Sequence, residues 1–160
     1  MSAGELVELI LRQIERRDRK ATEQQRKREP SYTAFFMAAA TMGEAWQEVV
    51  AEFGDDFVKA GDLLASAKMP AVRKAWQDAQ SKARHMAAGT PEAVKAAHAV
   101  VDKLRDPQVA PYLDQGPAAI EALRQRTLLD VEVCPAAIAR ELDDALEAFA
   151  AELSRDLGLE

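Results

Sequence analysis

Apolar residues recur along this chain at alternating spacings of three and four, the pattern of helices that bury one face. In the first segment Val7, Leu11 and Ile14, flanked by Leu6 and Ile10, form such a stripe. The stripe stops at Ile14. From Glu15 to Pro30 the chain reads ERRDRKATEQQRKREP, with no large apolar residue. Pro30 disfavours helix at the residue before it. The pattern therefore predicts a long N-terminal helix over residues 1–29, an apolar tip followed by a polar arm, ahead of a bundle over 30–160. This helix carries Glu8–Arg12, Glu15–Arg19 and Glu23–Lys27, each acid four residues ahead of its base. That orientation supports a solvated helix by about 0.2–0.5 kcal/mol per pair.

A second helix is expected after Ser31, which can cap it. Phe35, Ala39, Met42, Trp46, Val49 and Phe53 form its seam, with Gly43 beside the seam as a place for a close helix crossing. Gly54 ends it, and Asp55 or Asp56 starts a third helix to about Lys68 with Phe57, Gly61 and Leu64 inward. The fourth opens at Pro70 on Val72, Trp76, Ala79, Ala83 and Met86 and ends at Gly89. Thr90-Pro91-Glu92 is a helix start, followed by Val94, Ala97, Val101 and Leu104. The segment 106–117 holds three prolines and a glycine and is expected to be irregular, with at most a short helical turn. A sixth helix uses Ile120 and Leu123, and residues 128–133 are either its extension or extended chain. Pro135 opens the last helix, on Ile138, Leu142, Leu146, Phe149 and Leu153. The expected fold is all-α, a single-domain bundle of six or seven helices.

Composition agrees. The chain has 160 residues, long enough for one core, and its 6% aromatic content with abundant alanine suits helices better than sheets. A single cysteine, Cys134, rules out an internal disulfide and a thiolate-rich zinc site. No apolar run approaches the roughly 20 residues a bilayer span needs, and no basic-then-apolar leader opens the chain. A cytoplasmic location is the expectation.

Charge changes the picture more than composition does. The net charge is −6, but residues 12–29 carry eight bases against four acids, a net of +4. Residues 30–105 balance, nine against nine, and residues 106–160 carry twelve acids against four bases, a net of −8. Such asymmetry points to a partner surface or self-association rather than to a fold feature.

Signals of catalysis are weak. No phosphate-cradling glycine loop is present. His85 shares a polar face with Asp78, Ser81 and Lys82, and His98 flanks an apolar seam, so both read as structural. Gly54-Asp55-Asp56 is accounted for by helix caps, and Glu141, Asp143, Asp144 and Glu147 by a solvated face, as is the stripe Glu44, Glu48 and Glu52. No cofactor and no metal site is expected, and the chain reads as a non-enzyme.

The functional candidates are therefore contact residues. One reading makes the arm merely a solvated helix tethered by its tip. In the reading adopted here, Arg12, Arg16, Arg17, Arg19, Lys20, Arg26, Lys27 and Arg28 join Arg73, Lys74, Lys82 and Arg84 of the fourth helix in gripping a partner. The partner is a nucleic-acid backbone, through counterion release, or a protein, including a neighbouring copy bound head-to-tail through its acidic last third. Leu6, Ile10 and Ile14 would serve as a hydrophobic anchor, and Tyr32 and Phe36 as an exposed apolar patch. A membrane is the weakest partner, because the bases follow the apolar tip rather than lining its opposite face. Nothing identifies a small molecule. The expected function is a non-enzymatic helical subunit of a larger assembly, such as a nucleoprotein complex. The competing reading is a ligand-binding or regulatory domain with a pocket near Trp46, Trp76 and the 106–117 segment.

Overall fold

A computed structural model describes residues 3–17, 22–86 and 88–159. In chain order the elements are α1 (Ala3–Arg17), α2 (Glu23–Phe53), β1 (Val58–Lys59), α3 (Ala60–Leu64), α4 (Met69–Arg84), α5 (Pro91–Asp102), α6 (Ala110–Gln115), α7 (Ala118–Gln125), β2 (Glu132–Val133) and α8 (Pro135–Leu157). The all-α class holds. Among the described residues there are eight helices rather than six or seven. The extra one is α6, inside the segment expected to be irregular. Pro111 stands in its first turn, where a missing N–H costs no helical bond.

The long N-terminal helix is not found. The described part of α1 ends at Arg17, and Asp18, Arg19, Lys20 and Ala21 lie outside the described residues. A new helix starts at Thr22, through a capping box. The Thr22 hydroxyl accepts from the Gln25 N–H at 3.1 Å, and the Gln25 side-chain oxygen accepts from the Thr22 N–H at 2.9 Å. Pro30 then falls inside α2 instead of ending a helix, and Ser31 caps nothing. An interior proline removes one backbone bond and costs about 3 kcal/mol. Here Pro30 and Arg26 are both exposed, so the proline sits on the solvated side of α2. Tertiary contacts hold the two turns ahead of it. The Gln25 side-chain N–H donates to the Asp156 carbonyl at 3.1 Å, and Arg28 Nε lies 2.8 Å from Asp156 Oδ2. That second contact is ionic, since the Nε–H does not aim at the oxygen.

α2 is the axis of the bundle. It packs on α4, α8 and α1, and α5 closes the far side against α8 and α4. A helix covered on three sides buries most of its circumference. Tyr32, Phe35 and Phe36 are therefore all core residues, 0%, 0% and 2% exposed, and the predicted apolar patch at Tyr32 and Phe36 does not exist. All three meet Phe149 of α8 edge-on, with ring centroids 6.2, 4.9 and 5.7 Å away. The apolar tip is used internally too: Ile10 and Ile14 are buried and Leu6 packs against the same core.

The predicted third helix is shortened to α3, and a short ribbon takes the place of its start. Val58 pairs with Val133 and Lys59 with Glu132 in antiparallel register, so residues 128–133 end extended. Hydrogen bonds from Ala60 N to Val131 O and from Gly61 N to Leu129 O continue the contact into α3. Gly61 permits it, since a Cβ there would lie 3.2 Å from Leu129 Cβ and 3.3 Å from Leu129 O. With only five residues of α3 left, Phe57 is outside the core, 67% exposed.

Two stability predictions follow from this packing. Tyr32 donates to Asp156 Oδ2 at 2.8 Å and accepts from the Thr90 N–H at 3.0 Å. Tyr32→Phe should cost about 1.5–3 kcal/mol in urea unfolding, because a carboxylate loses its buried donor. Gly43 is a different case: an added Cβ would meet Leu146, Leu142 and Ala3 at 3.8–4.0 Å, ordinary contact distances. Gly43→Ala should raise stability by about 0.5–1 kcal/mol through helix propensity, read as a higher thermal midpoint.

Candidate partner-binding surface

α2 and α4 run antiparallel. At one end Lys68 Nζ lies 3.7 Å from Glu48 Oε2. At the other, Pro30, Ser31 and Ala34 of α2 and Lys82 and His85 of α4 line one cleft of about 240 Å³. Arg26 and Lys27 stand one turn before Pro30 on α2, exposed, and Arg84 is exposed beside His85. Lys27 reaches back to Glu23 at 3.6 Å. His85 Nδ1 is 2.7 Å from the Ser81 carbonyl. Lys82 and Arg84 also occupy the last turn of α4, where cations complement the helix dipole.

The sequence-predicted bases thus divide. Arg26, Lys27, Lys82 and Arg84 are exposed and lie in, or within one turn of, the segments that form this cleft. Arg12, Arg16 and Lys74 are exposed. Arg19 and Lys20 lie outside the described residues, as does the side chain of Arg17. Two bases are turned inward and engaged within the chain. Arg28 is the ion-pair partner of Asp156, the two side chains being 21% and 11% exposed. Arg73 donates from Nε to the Leu113 carbonyl at 3.2 Å, and its guanidinium lies under Gly116, the cap of α6. Each cation answers an acceptor that folding brings beside it: a carboxylate 128 residues away in one case, the C-terminal end of a short helix in the other.

The pocket reading loses its walls. Trp46 and Trp76 are 0% and 2% exposed. Their indole N–H groups donate to Pro135 O at 2.9 Å and Val101 O at 3.0 Å. Arg105 lies over the Trp76 ring, 5.5 Å from its centroid, held by a two-point contact with Asp114. The Arg105 hydrogen bond holds the Asp114 carboxyl below its usual range.

Of the acids on α8, Glu141, Asp143, Asp144 and Glu147 are exposed. Among the described residues no group of three or more His, Cys, Asp or Glu is placed to hold a metal ion. Asp143 borders a second cleft of about 250 Å³ with Ala3, Gly4, Gly43, Glu44 and Gln47. Partial burial, then repulsion from Glu147 and Asp144, raises its pKa. No helix among the described residues is long and apolar enough to cross a membrane. The chain matches no protein-family model, no curated protein and no solved structure.

The capping box at Thr22 was readable, as Thr22-Glu23-Gln24-Gln25. The Asp156 contact was not, because it joins two ends of the chain.

Asp143 gives a pH prediction. Its folded pKa is raised, so its stabilising effect is complete below the unfolded value near 3.8 and is lost as pH rises through the folded value. Asp143→Asn should therefore stabilise at neutral pH, and the advantage should vanish when unfolding is measured below about pH 4.

Proposed function

We propose that this chain is a non-enzymatic helical subunit of a larger assembly that holds a nucleic-acid backbone against the end of its bundle where α2 begins and α4 stops. What supports the reading is that exposed bases of two helices stand near one cleft: Lys82 lines it, Arg26 and Lys27 stand one turn before its Pro30 and Ser31 on α2, and Arg84 adjoins its His85 in the chain. Bases set apart on a rigid scaffold match phosphates spaced along a strand, and each contact releases counterions. The aromatic residues favour backbone contact over base stacking. Seven of the nine aromatics are buried, Phe53 is half-buried, and Phe57 lies beyond the other end of α2. Binding of this kind is independent of sequence and strongly dependent on salt. The acidic remainder of the molecule confines the strand to this end by repelling it elsewhere.

Binding of a fluorescent duplex, measured across a salt series, tests the reading. Wild type should show a steep negative slope of log affinity against log salt. Changing Arg26, Lys27, Lys82 and Arg84 together to Glu should abolish measurable binding at moderate salt, and each single change should flatten the slope by about 1. Arg140→Glu, a surface base in the second turn of α8, should leave the slope nearly unchanged. Duplex binding that survives the fourfold reversal sinks the proposal.

A further inference from the structure

The end of the bundle opposite the basic cleft carries an unusual surface. Phe57, 67% exposed, stands just before the ribbon strand β1. Its neighbour Val58 faces Val133 on the inner side of the ribbon, so Phe57 is turned outward. The turn leading to it is tied down where the Cys134 thiol donates to the Asp55 carbonyl at 3.6 Å. Around Phe57 the segments 55–62 and 130–133 carry exposed Asp55, Asp56, Asp62, Asp130 and Glu132 against one base, Lys59. An exposed phenyl ring is costly to leave in water, and the carboxylates of these segments make this end of the molecule acidic.

The α2–α4 cleft has the complementary features. Pro30 and Ala34 give it apolar walls and Lys82 and His85 edge it, while the exposed Arg26 and Lys27 stand one turn earlier on α2. Its volume of about 240 Å³ has room for a phenyl ring, since an apolar cavity of about 150 Å³ accepts benzene. Knob and hole cannot meet within one chain. The 24 residues of α2 from Pro30 to Phe53 hold them apart by about 35 Å.

We propose that Phe57 of one copy inserts into the Pro30–Ala34–Lys82–His85 cleft of a second copy, with the acidic ribbon end facing the basic rim. The contact is heterologous: each copy offers a knob at one end and a hole at the other, so it propagates into open chains of molecules rather than closing as a symmetric dimer. It buries one side chain and a charged rim, less than a standard interface, so assembly is concentration-dependent and weakened by salt. The cleft is the one that the phosphate reading uses, and the two occupants compete for it. The ribbon belongs to self-assembly alone, which makes the two readings separable.

Sedimentation equilibrium over a range of concentrations at low salt tests this. Wild-type mass should rise with concentration and fall back on adding salt. Phe57→Ala, at an exposed position, should keep the helical circular dichroism signal and weaken association by about tenfold or more, as loss of an anchor does. It should leave duplex binding intact. Lys82→Glu should weaken association similarly from the other side. The two variants mixed should form a one-to-one dimer and nothing larger, because only the Phe57 of the Lys82→Glu chain and the cleft of the Phe57→Ala chain remain competent. A wild type that stays monomeric at every concentration overturns the proposal, as does association that persists unchanged in Phe57→Ala or a mixture that does not pair. Loss of duplex binding in the fourfold base reversal alone, with Phe57→Ala silent there, bears on the phosphate reading and leaves this one to the sedimentation result.

Discussion

Most of this structure depends on one constraint, the enclosure of α2 by α1, α4 and α8. A helix with neighbours on three sides must be apolar around most of its circumference. Alanines 38, 39 and 40, all buried, let the surrounding helices approach closely, and Phe35, Met42, Trp46 and Val49 fill what remains. The same enclosure decides what happens at its ends. Helix α2 is longer than the core it crosses, so its first two turns extend past the packed region and carry polar, charged side chains. Its far end passes into the ribbon. Both candidate contact surfaces are thus consequences of a helix that outruns its own core.

The overhang is not left loose. Asp156, near the end of α8, gathers Arg28, the Gln25 amide and the Tyr32 hydroxyl, and Tyr32 passes the connection on to the N-terminal cap of α5. One carboxylate so joins α2, α5 and α8. Burial, reinforced by the bond to Asp156, raises the Tyr32 pKa, which keeps the phenol protonated and donating across the physiological range. Removing one partner of an ionic contact this enclosed would strand the charge of the other. The contact also spends Arg28, so the surface charge of the arm is smaller than the sequence suggests.

What is left exposed is polar in the electrical sense. Exposed bases stand where α2 begins and α4 stops, with Glu23 and Asp78 among them, and carboxylates outnumber bases where the ribbon turns. The net charge of −6 conceals this separation. At protein dimensions the Debye length is about 8–10 Å in physiological salt, so a strand or second molecule approaching one end feels that end's charge rather than the total. A single chain can then offer opposite faces to its surroundings without contradiction.

Much of the architecture was readable from one dimension. The three-four spacing located α2, α4, α5 and α8, because burial of one helical face leaves a local, periodic trace. Thr90-Pro91 and Pro135 marked helix starts for the same reason, a cap being a matter of two or three adjacent residues. The capping box at Thr22 was equally local and outweighed Pro30, whose cost is offset by contacts that only folding creates. Whether Tyr32 and Phe36 faced water or core depended on how many neighbours α2 would have. Which bases were turned inward depended on where Asp156 and the Leu113 carbonyl came to rest. The sequence determined where helices form and how charge is spread along the chain, since both follow from residues within a few turns of each other. Tertiary structure alone decided which charges are neutralised and which two ends of the molecule they occupy, because pairing depends on distances in space that no local spacing records.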